Sequence, residues 1–506
     1  MDIAWRPVLR AARFLFWGVL LCGCAGPGPA RERAAAPAHA LSRAPLARRV
    51  GVHVPSVTGR EQLQYDVRVD AALERIEVRL CASGFRIERL NAPSPGAARF
   101  LEGGKVVTQE GDATCRGDSE GVDLPATQSG ECLSYAVTLP EPSPDATSLR
   151  RVGRDRLASP DLWLWVPTPR PEGLTIRARL ELPEGVSAAL PWPRLPQEAH
   201  GSVVEFSVPE SAFAWKATGA FSYAAIESLS PEVDWVALGE GFAHAAAVRA
   251  WILEGARSAS LLFGRLPVAR VLLIAVPSER SGPAFGMALR GGGPAISVFL
   301  DRRADAAALS TDWTCGHEFL HLGVPHLPPE DAWLFEGLAT YYTEVTRARA
   351  GLISSEQAYQ HLLEGFERGR RAGGGLTLRE ESEQMHERRS FQRVYWAGAA
   401  LALLTDLNAR REGGRTLDSA LRSFAECCAA SEQEWTAERV LARLDASLGA
   451  PRFTELSQHW LDRREFPEVD EALRALGVAP GSQGRAVFGR GRDAALRDAI
   501  MARAPR

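Results

Sequence analysis

The sequence predicts a multidomain α+β protein, in which an N-terminal β-sandwich-like domain precedes a mainly helical domain. The chain has 506 residues, enough for two or three hydrophobic cores, and its 45% hydrophobic and 24% charged residues are typical of a globular protein. Apolar and polar residues alternate in the first half, whereas helical spacing dominates the second half. We place the β domain at 49–228, the helical domain at 229–480 and a helical tail at 481–506.

Short alternating segments separated by Pro and Gly predict strands at 63–69, 76–80, 162–166 and 174–180. Many short strands at this spacing are typical of a β-sandwich. Cys115 and Cys132 flank a polar, glycine-rich loop, and an oxidising compartment permits disulfides, so we predict a disulfide between these two residues.

Helical spacing predicts a nearly continuous series of helices in the second half, interrupted near its start by two buried strands. The helices are expected at 242–263, 310–322, 333–350, 355–370, 388–412, 416–429, 435–448, 452–463 and 490–503, and the strands at 268–276 and 295–300.

The first residues have the pattern of a targeting segment. Three arginines precede a short apolar stretch, which suits a signal peptide at 1–24 and is too short to span a bilayer. Leu21-Cys22-Gly23-Cys24 resembles a bacterial lipobox, so we predict lipidation of Cys24, with ordinary cleavage as the alternative. Residues 25–48 are rich in Ala, Pro and Arg and predict a disordered tether. These features predict an exported bacterial lipoprotein of the cell envelope, either periplasmic or associated with the outer membrane.

The most informative motif is His317-Glu318-Phe319-Leu320-His321. On an α-helix, residues four apart lie on the same face, so both imidazoles can bind one ion while Glu318 lies beside it. Two histidine ligands and a general base from one helical turn form the H-E-x-x-H pattern of zinc peptidases. The motif therefore predicts one Zn²⁺ per chain and metal-assisted hydrolysis. The alternative is an exposed turn of helix that has two histidines and no ion.

A catalytic zinc ion takes a third protein ligand and keeps one position for water. Glu336 lies fourteen residues after the motif's last histidine, and the proline-rich loop Gly323–Pro329 would let a second helix fold back to present it. His326 is the rival ligand, but Gly323 and His326 are each one residue off the metzincin spacing. We therefore predict Glu336.

Two further roles complete the predicted chemistry. Glu318 would take a proton from the attacking water and pass it to the leaving amine. A tetrahedral oxyanion also needs a hydrogen-bond donor besides the metal, and a tyrosine is a common choice. Tyr395 is our candidate, with plain helix packing as its alternative role.

The segment Trp333–Gly337, which follows H-E-x-x-H, resembles the corresponding segment of the gluzincins, the group that contains aminopeptidase N. The chain resembles the glycyl aminopeptidase family of bacterial gluzincins more closely, through Glu336–Tyr342 and Tyr395–Gly398, and further through Leu403–Leu407 and Thr416–Asp418. The resemblance implies an N-terminal β domain followed by a thermolysin-like catalytic domain.

The same resemblance implies that His317, His321 and Glu336 bind zinc, that Glu318 is the base and that Tyr395 supports the oxyanion. It also implies a peptide or protein substrate.

The sequence departs from the family at several positions. Related exopeptidases have a Gly-x-x-Glu element whose carboxylate holds the free amine of the substrate, whereas Gly286-Met287-Ala288-Leu289-Arg290 has no acid. Aminopeptidase and endopeptidase activity therefore both stay open, and Gly286, Met287 and Ala288 are our candidates for substrate binding. Thr340 stands where an acid often supports the ligands, and Ala397 replaces a lysine. The residues after position 475 are too few for the family's PDZ domain, so none is expected.

Two other kinds of protein would fit part of this pattern. A catalytically silent, peptide-binding surface lipoprotein would keep the zinc site but would not need Glu318. A structural zinc site would close with a fourth protein ligand, such as His326. The net charge of −3 gives no support for nucleic-acid binding, and the oligomeric state cannot be read from the sequence.

Overall fold

The computed structural model describes residues 61–503, apart from 110, 115–119, 126–129, 142–145, 197–201, 215, 413–414 and 432. The predicted signal peptide and tether, with the lipidation site Cys24, lie outside the described residues, as does Cys115. Within the part described, no helix combines the length and the apolar character that a membrane span requires.

The first part of the described chain contains fourteen strands. Strands β1 to β14 are Gln62–Val69, Arg75–Ser83, Arg89–Asn91, Lys105–Thr108, Gly111–Thr114, Gly121–Asp123, Cys132–Thr138, Leu149–Val152, Asp155–Ala158, Val166–Thr168, Thr175–Glu181, Ser187–Ala189, Val203–Ser207 and Ala220–Ser222. They form a seven-stranded sheet of order β13-β11-β1-β2-β7-β4-β5 and smaller sheets of order β10-β3-β6 and β12-β14-β9-β8. Buried residues alternate along β1 and β2, because one face of the sheet covers the core.

The predicted strand at 162–166 is wrong. Residues 160–162 form a 3₁₀ turn, and the strand of this region is β10, further along the chain. Trp163, Leu164 and Trp165 are all buried, so the alternation in the sequence does not mark an inner and an outer face. The carbonyl groups of the two tryptophans accept hydrogen bonds from the hydroxyls of Tyr135 (3.0 Å) and Tyr65 (2.8 Å). Tyrosine hydroxyls thus satisfy carbonyl groups that, in a sheet, would accept hydrogen bonds from a neighbouring strand.

The predicted disulfide between Cys115 and Cys132 is also wrong. Strands β2 and β7 pair in a register that puts Cys81 directly opposite Cys132, and these two residues form a disulfide with a Cα–Cα distance of 4.1 Å. Strand register therefore decides the partner of Cys132. A second disulfide joins the adjacent residues Cys427 and Cys428.

The second part of the described chain is mainly helical. Helices α1 to α13 are Ala245–Phe263, Ala306–Thr311, Thr314–His321, Ala332–Ala350, Ser355–Arg371, Leu378–Glu383, Met385–Arg388, Phe391–Arg411, Leu417–Cys428, Ala437–Leu448, Arg452–Leu461, Asp470–Leu476 and Ala494–Ile500. Strands β15 to β21 are Glu227–Ser230, Val233–Ala237, Val271–Ser278, Phe285–Leu289, Ala295–Asp301, Val478–Ala479 and Val487–Phe488. The predicted order, β-rich and then helical, is confirmed.

A five-stranded sheet of order β15-β16-β17-β19-β18 begins this helical part. Strands β17 and β19 are parallel and buried along nearly their whole length, as expected when both faces of a sheet are covered. Strand β18 was not predicted. It pairs antiparallel with β19 and forms the edge of the sheet.

An apolar cluster joins the β-rich part to this sheet. Leu157 and Ala220 of the four-stranded sheet pack with Ile274, Val276 and Phe299 of β17 and β19. Because these side chains are buried, the two sheets hold each other in place. Met287 of the edge strand β18 packs against the same cluster, so contacts with the β-rich part help to position this strand.

Candidate metal centre

Two helices bring the three predicted metal ligands together. His317 and His321 lie one turn apart on α3, and Glu336 lies in the first turns of α4, which folds back after the predicted reversal at 323–329. The Nε2 atoms of the two histidines are 3.1 Å apart. The Oε2 atom of Glu336 is 3.3 Å from Nε2 of His317 and 3.4 Å from Nε2 of His321.

This triangle has the size that a zinc ion requires. With zinc–ligand bonds of about 2.0–2.1 Å, two ligand atoms of one tetrahedral ion lie about 3.3 Å apart. Two imidazole nitrogens and one carboxylate oxygen are also the donor set of many catalytic zinc sites, which leave a fourth position for water. The residues present therefore fit Zn²⁺, and among the described residues this is the one His/Cys/Asp/Glu group with such geometry.

Aromatic rings pack against both histidine ligands. Phe335 stacks on His321 with ring centroids 4.1 Å apart, and Tyr395 stacks on His317 at 6.1 Å. Burial alone would raise the pKa of Glu336, but the two histidines outweigh it and lower the pKa of this carboxyl well below its usual value. Glu336 is therefore a carboxylate, the form that binds a metal ion.

Glu318 lies beside the ligands and against strand β18. A Cβ atom built on Gly286 would lie 2.4 Å from Cγ of Glu318, so only glycine allows the strand to approach this closely. The backbone N–H of Ala288 donates a hydrogen bond to the Glu318 carboxylate. Burial raises the pKa of Glu318 to about 7, and the Glu336 charge adds to this, while His317 and the Ala288 hydrogen bond oppose it. A carboxyl with a pKa near neutrality suits a general base.

The structure places the three predicted substrate-binding residues on the outer strand of the sheet. Gly286 and Ala288 face Glu318, whereas Met287 points to the other side and packs near the cluster that joins the two sheets. The strand thus presents its backbone, rather than its side chains, next to Glu318.

Tyr395 reaches the ligands from a third helix, α8. Helices α4 and α8 cross where Gly337 meets Gly398, and a Cβ atom on Gly398 would lie 1.9 Å from the carbonyl oxygen of Trp333. This close approach brings Tyr395 next to Glu336. Burial raises the pKa of Tyr395 well above its usual value, and the charges of Glu336 and Glu318 add to it, so its hydroxyl stays a hydrogen-bond donor.

Neither His326 nor Thr340 takes part in the metal site. His326, the rival ligand, is not part of the ligand group; its carbonyl oxygen accepts a hydrogen bond from the N–H of Trp435. The hydroxyl of Thr340 is buried without a hydrogen-bond partner among the described residues, so it does not support the ligands. Thr343, one turn further along α4, does contact His317.

Arg290 is a residue whose role the sequence did not reveal. It follows strand β18, and its guanidinium donates hydrogen bonds to four backbone carbonyl groups of this chain. Its acceptors are Ala429 at 2.8 Å, His321 at 3.1 Å, Leu322 at 2.9 Å and Val324 at 2.6 Å. Three of them lie at the end of α3, the helix that provides two metal ligands. Arg290 therefore fixes that end of the helix, and its guanidinium is not free to bind a substrate.

The fold can be compared with known structures, although no family model and no curated protein matches the sequence. It is similar to an aminopeptidase N family protein from Idiomarina loihiensis, with a TM-score of 0.65 and 15% identity over 82% of this chain and 78% of that chain. The chain has the aminopeptidase N fold. Native yeast LTA4 hydrolase is also similar, with a TM-score of 0.53 and 11% identity over 82% of this chain and 70% of that one.

The aminopeptidase N fold confirms the predicted gluzincin resemblance at the level of architecture. A β-rich N-terminal part precedes a helical part with H-E-x-x-H on one helix and a glutamate on the next. At these identities the similarity concerns the fold, so the activity has to be argued from the residues of this chain.

Proposed function

We propose that the protein is a zinc-dependent metallopeptidase that hydrolyses peptide bonds. The observation behind this proposal is the position of Glu318. It follows His317 in the helix that provides both histidine ligands, and its carboxylate contacts the outer strand of the sheet. This position supports a role for Glu318 as the general base, between the metal site and a strand edge where an extended peptide can lie. A protein that only bound peptides would not need this carboxylate.

Each residue has a part in the proposed reaction. Zinc, when bound, would lower the pKa of water and polarise the scissile carbonyl. Glu318 takes the proton of the attacking water and delivers it to the nitrogen of the leaving amine, which restores the carboxylate. The Tyr395 hydroxyl donates a hydrogen bond to the oxyanion of the tetrahedral intermediate.

The substrate is proposed to bind as an extended strand along β18. This strand is the edge of its sheet, and an edge strand presents unpaired backbone groups to which a peptide can add. The segment 286–290 contains no carboxylate to hold a free substrate amine. We therefore place endopeptidase cleavage ahead of aminopeptidase cleavage, and mass spectrometry of the product ends tests this order.

Removal of zinc is expected to abolish peptide turnover. Protein treated with a chelator should cleave no member of a diverse peptide library, and one equivalent of Zn²⁺ should restore cleavage, because the ligand triangle holds a single ion. Zinc content is measured by atomic emission beside the turnover rate.

A chelator already saturated with Zn²⁺ is the control and should leave turnover unchanged. Cleavage that persists in protein without zinc would contradict the proposal. Bound zinc with no cleavage of any peptide would support a binding protein instead.

We further propose export and lipid anchoring, supported by the charged and apolar pattern of residues 1–24. A Cys24→Ala variant, expressed in a bacterial host, is expected to move from the membrane fraction to the soluble fraction. Immunoblotting of the two fractions tests this. Equal membrane association of both forms would contradict lipidation at Cys24.

A further inference from the structure

A threonine on α4 contacts the ring nitrogen of His317 that faces away from the metal position. The Oγ1 atom of Thr343 lies 3.2 Å from Nδ1 of His317, and both residues are 3% exposed. The same hydroxyl donates a hydrogen bond to the carbonyl oxygen of Ala339, at 2.7 Å.

These two contacts determine which nitrogen of His317 carries hydrogen. A threonine hydroxyl has one hydrogen to donate, and in Thr343 it is used on the Ala339 carbonyl. The contact with His317 can then be a hydrogen bond only if Nδ1–H is the donor and the hydroxyl oxygen is the acceptor. A neutral imidazole with hydrogen on Nδ1 has its lone pair on Nε2, the atom that faces His321 and Glu336.

The surroundings keep the ring of His317 in this orientation. Tyr395 stacks on one face, and Trp313 approaches edge-on with ring centroids 5.2 Å apart. The ring of His321 is also packed, against Phe335, but its Nδ1 atom is buried without a hydrogen-bond partner among the described residues. Protein control of the histidine tautomer is therefore concentrated on His317.

We propose that Thr343 is a positioning residue of the zinc site, whose hydroxyl holds His317 in the tautomer that presents Nε2 to the ion. This assignment rests on the zinc site of the proposed function but not on peptide cleavage. Loss of such a partner of a ligating histidine typically lowers metal affinity by about 10–100-fold.

The test is zinc affinity of the full chain, measured by competition of the metal-free protein with a chromophoric chelator. Thr343→Val keeps the shape of the side chain and removes the acceptor, so it is expected to weaken zinc binding by about tenfold or more. Thr343→Ser keeps the hydroxyl and is expected to stay within about threefold of the parent.

Thr346 provides a matched control on the same helix. It is fully buried, and its hydroxyl donates to the Tyr342 carbonyl at 2.7 Å, the same contact within the helix that Thr343 makes. Thr346→Val should therefore affect folding as much as Thr343→Val does, but it should leave zinc affinity unchanged. Should Thr343→Val fail to fold, Thr343→Ala removes the acceptor with less crowding, and the same expectation applies to it.

Equal zinc affinity of Thr343→Val and Thr346→Val would overturn the assignment. So would an equal loss in Thr343→Ser and Thr343→Val, since it would show that the hydroxyl is not what matters. A protein that binds zinc but cleaves no peptide would contradict the proposed function and leave this assignment intact.

Discussion

Replacing Glu318 with glutamine is expected to lower kcat by about a thousandfold or more while zinc stays bound. Glutamine has nearly the same shape as glutamate, and its amide oxygen can still accept the Ala288 hydrogen bond, so the contact with Gly286 should survive. What is lost is the ability to take a proton from water. The measurement is the rate of single-turnover cleavage of a peptide identified as a substrate. Zinc content is measured on the same sample.

Two further variants make this result specific. Glu330→Gln removes an exposed carboxylate shortly before α4 and is expected to leave kcat unchanged. Tyr395→Phe keeps the ring that stacks on His317 but removes the donor, and is expected to lower kcat by about 100-fold. A Glu318→Gln variant that keeps zinc and loses less than tenfold in kcat would show that another group is the base.

The parts of the site that depend on local sequence could be predicted. H-E-x-x-H needs only the period of one helix to place His317 and His321 side by side. Helix ends are also marked locally: Gly351 has the left-handed conformation that ends α4, and the Ser354 side chain caps α5. The predicted helices at 333–350 and 355–370 accordingly agree with the observed bounds within one residue.

The errors arise where distant segments decide the outcome. The alternating segment at 162–166 resembles a strand, but its carbonyl groups bind hydroxyls of Tyr65 and Tyr135, which come from other strands. Cys132 pairs with Cys81 because of the register between β2 and β7, and strand register depends on the packing of the whole sheet.

The contacts that support the metal ligands also depend on distant segments, and the sequence alone does not reveal them. In the sequence, Thr340 replaces an acid that often supports the ligands, but the residue that contacts His317 is Thr343, about one turn further along the helix. The choice between these two positions depends on how α3 and α4 cross. Likewise, Arg290 meets the end of α3 only because strand β18 lies beside that helix.

Replacing Arg290 with methionine is expected to lower the free energy of unfolding by about 3 kcal/mol. Its guanidinium satisfies carbonyl groups at the end of α3 and at Ala429, and methionine would leave them without these donors. The loss is partly offset because a partly buried cation is itself costly: desolvation lowers the pKa of Arg290 to about 10. Guanidinium-induced unfolding followed by tryptophan fluorescence measures the change.

Arg303→Met is the matched control, because this arginine is 67% exposed and its ion pair with Asp301 spans 3.6 Å. It should change the free energy of unfolding by no more than about 0.5 kcal/mol. Equal stability of the two variants would contradict the role assigned to Arg290. Since the Arg290 guanidinium binds the carbonyl of His321 itself, zinc affinity should also fall in Arg290→Met and stay unchanged in Arg303→Met. A loss of stability with unchanged zinc affinity would mean that Arg290 holds the fold together without orienting the metal ligand.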